Sequence, residues 1–219
     1  LIPKIIGLAK RVKSRQAKEA NAPEIKSFIP LTTPRALVVN ESIKAKLSDI
    51  SPTRSMIPVK PVQAICIGVS TGGPMALMQI FSQINTPLGV PIFIVQHMPP
   101  SFTSLLAARL SAASNMNIKE AEEGEIALPG FGYIAPGGFH MTLEKSGTKT
   151  ILHLNTDPPE NSCRPAVDVL FRSAVEVYGG SVLAVILTGM GYDGLKGCQA
   201  IAAKGGQIIA QDEATSVVW

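Results

Sequence analysis

The chain is poor in the residues that would build a metal centre, a disulfide framework or a membrane span. Its three cysteines, Cys66, Cys163 and Cys198, lie far apart with no CxxC pair. That spacing argues against a disulfide scaffold and a zinc site, and for a reducing compartment. The three histidines, His97, His140 and His153, are too scattered to read as ligands from spacing. No apolar run approaches the roughly eighteen residues of a spanning helix, and the N-terminus lacks the layout of a signal peptide. The expectation is a cytoplasmic chain with no cofactor and no membrane insertion.

Acidic residues are scarce at one end. Residues 1–60 carry twelve Lys/Arg against four Asp/Glu, so that segment holds +8 while the remainder holds −4 of the total +4. The basic character belongs to the N-terminal segment, and a nucleic-acid role for the folded part is disfavoured. Residues 1–20 place Ile5, Leu8, Ala9 and Val12 at helical spacing among lysines and arginines. With no aromatic residue there, membrane binding is not expected and a solvated basic face is the simpler reading. From 21 to 60 five prolines, with Pro61 just beyond, punctuate a Ser-, Thr- and Lys-containing stretch, read as an interdomain linker. The chain opens on Leu1 and stops on Trp219 within an apolar run, which reads as a fragment at both ends.

With 219 residues, 46% of them hydrophobic, the chain can bury one substantial core and is short for two. From residue 62 the pattern becomes alternating strand and helix. Strands are expected over 63–69, 91–96, 182–188 and 207–211, each short, apolar and bounded by Gly or Pro. Helices are expected over 74–84, 102–114, 165–178 and 194–204, with Pro74 and Pro165 in first turns and Gly179-Gly180 and Gly205-Gly206 past the ends. Residues 124–155 have β character, with Gly137-Gly138 as a hairpin turn. The fold class is α/β: a doubly wound, mainly parallel sheet with helices on both faces and a β-hairpin insertion.

In such a sheet ligands gather beyond the carboxyl ends of the strands. Ser70 follows the first expected strand, His97 the second, and "GMGYDG" with Asp193 the strand at 182–188. Those are the parts of an activated nucleophile: an alcohol to attack, an imidazole to take its proton, a carboxylate to fix the tautomer and stabilise the imidazolium. Taken singly, Ser70 could cap the helix near Pro74, His97 could be a structural residue at a strand end, and Asp193 could start a turn or cap the helix at 194. Their coincidence on one rim favours the catalytic reading. Gly68-Val69-Ser70-Thr71-Gly72 fits G-x-S-x-G, the turn that projects a nucleophilic hydroxyl. A dinucleotide site would want an acid about 20 residues on, yet no Asp or Glu occurs from 74 to 119, and no Lys follows the glycines as a P-loop requires. The chain order Ser, His, Asp also differs from that of the α/β-hydrolases.

The segments "GVSTGGP", "QHMPPSFT", "EAEEGE", "GYIAPGGFHM", "RPAVDVLF", "ILTGMGYDG" and "AQDEATSVVW" together resemble the effector domain of the chemotaxis protein-glutamate methylesterases, the CheB family. The resemblance covers about 62–219, as the catalytic domain. It makes 1–60 the tether to a response-regulator receiver phosphorylated by a chemotaxis histidine kinase. It implies hydrolysis of glutamate γ-methyl esters, and deamidation of glutamines, on the cytoplasmic helices of chemoreceptors. It further implies Ser70 as nucleophile, His97 as base, Asp193 as orienting acid, and the backbone N–H groups of Thr71 and Met190 as oxyanion donors. Ala166 and Cys163 depart from the usual residues at their positions in that family. The alternative reading is a non-catalytic effector module that docks on receptor helices.

Overall fold

The computed structural model describes residues 60–219. The basic helix and the linker expected over 1–60 lie, apart from Lys60, outside the described residues. In chain order the elements are β1 (Ala64–Val69), α1 (Gly73–Phe81), β2 (Ile92–Gln96), α2 (Phe102–Ala113), β3 (Asn117–Glu120), β4 (Phe131–Ile134), β5 (His140–Ser146), β6 (Lys149–Asn155), α3 (Val167–Tyr178), β7 (Val182–Ile186), α4 (Leu195–Ala203) and β8 (Gln207–Ala210).

Six strands form one parallel sheet in the order β3-β4-β2-β1-β7-β8. The central strands are apolar on both faces because both are covered. Ile65, Ile67 and Val69 of β1, with Ile92 and Ile94 of β2, enter the cluster that holds Leu77 and Phe81 of α1 and Leu106 and Leu110 of α2. The alternate residues Ala64, Cys66, Phe93 and Val95 enter a second cluster with Leu170 and Phe171 of α3 and Ile201 of α4. At about 25 cal/mol per Å² of apolar surface removed from water, residues such as these supply the main drive to fold.

The antiparallel pair β5–β6 forms the hairpin insertion and packs its Met141, Leu143 and Leu152 on the α3 side. Its turn lies at Gly147-Thr148, between β5 and β6, and not at Gly137-Gly138 as the sequence reading had it. Gly137 instead links β4 to β5 in close approach to Pro99 and Pro100, whose backbone atoms would stand 2.6 and 2.5 Å from a Cβ there. Helix α3 begins at Val167, two residues later than expected, after the N-cap Ala166. Strands β3 and β4, with the polar run "NIKE" and a glycine respectively, extend the sheet beyond the four strands expected. Moving along the sheet, β2 lies on one side of β1 and β7 on the other, so the carboxyl ends of β1 and β7 frame a topological switch point, where open α/β sheets leave a crevice for ligands.

Candidate active site

The crevice collects what the strand ends deliver. Ser70, His97, Met190 and Asp193 line one cavity with Gly68, Val167 and Gly189. Ser70 leaves β1 with its N–H on the Thr188 carbonyl at 3.0 Å, and its own carbonyl accepts from Gly73 N–H at 2.8 Å. The buried Gln96 side chain donates to the carbonyls of both Ser70 (3.0 Å) and His97 (3.1 Å), tying the two turns together. A Cβ at Gly189 would fall 2.7 Å from Ser70 Cβ, so only glycine lets the β7 turn pass this close to the serine. The helix-cap reading of Ser70 fails. Gly72, at φ 80°, occupies the N-cap of α1 and no side chain caps it, so the hydroxyl is not used by the helix.

His97 Nε2–H donates to Asp193 Oδ2 at 2.8 Å, with the side chains 17% and 6% exposed respectively. Asp193 does not cap α4, whose N-cap is Gly194. It caps α3 from outside: Val167 N–H donates to Oδ2 at 2.7 Å and Asp168 N–H to Oδ1 at 3.0 Å. Asn161 Nδ2 adds a bond to Oδ1 at 2.9 Å. Burial alone would push the Asp193 carboxyl up, but the His97 bond, the two α3 amides and Asn161 outweigh it and hold its pKa below the ordinary value. The helix N-terminus favours the same negative charge.

Asn161 reaches that position through a tight turn. Asn161 and Ser162 have φ 52° and 63°, and Glu160 and Cys163 exchange backbone bonds of 3.1 and 2.9 Å across them. This is the geometry of a primed turn, which asparagine tolerates well. Arg172 pins the turn to α3 by a bidentate pair with Glu160, at 2.8 and 2.6 Å. Asp168, fully buried, accepts from Asn161 Nδ2 at 3.0 Å and from Gly197 N–H at 2.7 Å, linking the same turn to α4.

With Nε2 bound to Asp193, the lone pair of His97 resides on Nδ1. The ring is thus turned end for end relative to the chymotrypsin arrangement, where Nδ1–H meets the acid. Nδ1 faces Cys163 Sγ at 3.6 Å. Burial and the Asp193 charge push the Cys163 thiol up, so near neutral pH it is an S–H donor to that lone pair. Of the two links expected for the triad, His97–Asp193 is made and Ser70–His97 is not, although both residues line one cavity. Among the described residues, the N–H groups of Thr71 and Met190 have no intramolecular acceptor, and Met190 lines the cavity whereas Thr71 does not. His140 is buried beneath the hairpin, its Nδ1 accepting from Ala166 N–H and its Nε2–H donating to the Pro158 carbonyl, both at 3.2 Å. It has no place at the rim. Arg164 is occupied by the Thr156 and Asp157 carbonyls.

The sequence reading did not foresee Asn161, Gln96 or the contact between Cys163 and His97. The one available signal was Asn161-Ser162, a turn dipeptide just upstream of α3. Among the described residues no helix is long and apolar enough to cross a membrane.

Residues 65–219 match the family model for CheB methylesterase. The chain is 45% identical over its whole length to a protein-glutamate methylesterase/protein-glutamine glutaminase of Paramagnetospirillum magneticum, covering 57% of that protein. It is 48% identical to a namesake in Trichodesmium erythraeum, over 76% of this chain and 47% of that one. The chain therefore spans about half the length of the curated relatives it matches. A crystal structure of the Thermotoga maritima CheB methylesterase catalytic domain superposes with a TM-score of 0.70 at 46% identity, over 72% of this chain and 83% of that one.

Proposed function

The chain belongs to the CheB methylesterase family, and on that premise we propose that residues 62–219 are the catalytic part of a cytoplasmic serine hydrolase acting on chemoreceptor helices. Its reaction is hydrolysis of glutamate γ-methyl esters to glutamate and methanol, with deamidation of glutamines by the same steps. The observation that carries the reading is the 2.8 Å bond from His97 Nε2 to a buried Asp193 in the cavity that Ser70 lines. The relatives span about twice this chain, and residues 1–60 serve as the tether to a phosphorylated receiver.

In the reaction Ser70 Oγ attacks the ester carbonyl while His97 Nδ1 takes its proton, and the imidazolium is stabilised by Asp193. The developing oxyanion lies toward the N–H groups of Thr71 and Met190, where loss of one donor typically costs about 100- to 1000-fold in rate. Collapse expels methoxide, which takes the proton from Nδ1 and leaves as methanol. Water, deprotonated by His97, then attacks the acyl-serine and frees the glutamate with Ser70 restored. For this sequence the Nδ1 lone pair must exchange its Cys163 partner for Ser70 Oγ, a change of bonding at the edge of a ring whose other nitrogen stays anchored.

The test is methanol release from methylated receptor by the wild-type chain and by Ser70→Ala. Release by the wild type and its loss in the variant are expected. Equal release by both would remove Ser70 as nucleophile, and no release by a folded wild type would favour a docking module without chemistry.

A further inference from the structure

Cys163 is unused by the hydrolytic mechanism, yet it points its sulfur at the one atom that mechanism most needs. Among the described residues, a ring nitrogen of His97, the Cys163 Sγ and an Asp193 carboxylate oxygen lie within 4.8 Å of one another. The finer geometry is more telling. Zinc binds sulfur at about 2.3 Å and imidazole nitrogen at about 2.0–2.1 Å, so two such ligands on a tetrahedral ion stand roughly 3.6 Å apart. The distance from His97 Nδ1 to Cys163 Sγ is 3.6 Å. The far nitrogen is already bonded to Asp193, the carboxylate–histidine pairing that orients imidazoles for metal and raises their basicity. Asp193 is itself fixed by three further donors, so neither the ring nor its tautomer has to be reorganised.

We infer that His97 Nδ1 and Cys163 Sγ form a two-point binding site for a soft divalent metal ion of the zinc class, with Asp193 behind the imidazole and the remaining positions open to water. The ion takes the place of the thiol proton between sulfur and nitrogen, and that proton passes to solvent. The donor set selects against hard cations such as magnesium, which prefer oxygen. His97 and Cys163 also line a second cavity, walled by Met98, Pro99, Gly138 and Arg164, that Ser70 does not line. Binding itself is independent of the hydrolase reading. Its consequence rests on that reading: a metal on Nδ1 removes the general base, so the ion is a reversible inhibitor.

The probe is cobalt(II), followed by absorption on the full 219-residue chain, with zinc as competitor and magnesium as control. The expected result is one equivalent bound with a thiolate-to-cobalt charge-transfer band, displaced by zinc and untouched by magnesium. The band is expected to vanish in Cys163→Ser, to need at least tenfold more cobalt in His97→Gln, and about 10- to 100-fold more in Asp193→Asn. Zinc should also shield Cys163 of the wild type from iodoacetamide, read by mass spectrometry at that peptide, which needs no variant to fold. Absence of the band in folded wild type, its persistence in Cys163→Ser, or alkylation of Cys163 unaffected by zinc would each overturn the site. Zinc should abolish methanol release by the wild type, reversibly with chelator, and Cys163→Ser should need at least tenfold more zinc for the same loss. Metal binding as described, with hydrolysis absent even in chelator, counts against the hydrolase and leaves the metal site standing.

Discussion

Replacing Asp193 with asparagine separates what the carboxylate does for the fold from what it does for the proposed chemistry. Oδ2 accepts from His97 and Val167, and Oδ1 from Asp168 and Asn161. An asparagine amide must turn its NH2 toward one of those pairs of donors. Two hydrogen bonds to an ionised acceptor are then lost, each worth about 1.5–3 kcal/mol, while the burial cost of the charge disappears and offsets part of the loss. A net destabilisation of about 2 kcal/mol follows, or a fall in Tm of about 4–8 °C for a domain of this size. The pH dependence gives the sign. The folded pKa of Asp193 is depressed, so its stabilisation is in full force above the ordinary carboxylate value and is lost as pH falls through the lower folded value. The Tm gap between wild type and Asp193→Asn should be widest near neutrality and should narrow as pH falls below the ordinary carboxylate value. Melting followed by circular dichroism at pH 7, 5 and 3 measures it. A gap that is absent at pH 7, or that widens on acidification, would refute the account of how this carboxylate is held. Catalytically, the wrong tautomer at His97 should lower the rate of methanol release by about 10⁴-fold, far more than a loss of 2 kcal/mol in fold stability explains in a protein that remains folded.

Three further outcomes are expected. Gly189→Ala should lower methanol release at least tenfold in a folded protein, because the added carbon lies 2.7 Å from Ser70 Cβ; unchanged rates would mean that the β7 turn yields freely. His140→Gln should keep methanol release within tenfold of wild type while His97→Gln loses it, and the opposite ranking would transfer the role of base to the hairpin. At the hairpin, His153 meets Glu123 and Glu144 at 2.8 Å each, and its pKa is raised chiefly by the bond to Glu123. That stabilisation is present below the ordinary histidine value and is lost as pH rises through the folded one, so His153→Ala should lower Tm more at pH 5.5 than at pH 9.

The core of the sheet was legible because period and composition determine it. β1, β2, β7 and β8 are short apolar runs between turn residues, and α1, α2 and α4 follow β1, β2 and β7 directly, while α3 follows the hairpin. β4 falls in the stretch read as β, but as part of the hairpin and not of the main sheet; β3 was hidden by its chemistry, since an edge strand reading Asn117-Ile118-Lys119-Glu120 is stabilised by pairing with β4, not by its own pattern. The hairpin turn was misplaced because Gly137-Gly138 carries a stronger turn signal than Gly147-Thr148, although its glycine serves the close approach to Pro99 and Pro100. At the site, the rim positions of Ser70, His97 and Asp193 follow from strand ends alone. What holds Asp193 does not, since Asn161 and the α3 amides approach from a turn and a helix whose placement depends on tertiary packing. Nor can a sequence say which imidazole nitrogen meets the acid, and the facing of Nδ1 toward Cys163 depends on that choice.

The central claim is that the Ser70 hydroxyl is activated by His97 in this cavity. Reaction of the folded chain with a fluorophosphonate, mapped by mass spectrometry, tests it most directly. The account predicts one adduct, on Ser70, formed by the wild type in the presence of chelator and lost when His97 becomes glutamine. An unlabelled Ser70 in folded wild type, or labelling that survives His97→Gln unchanged, would contradict it.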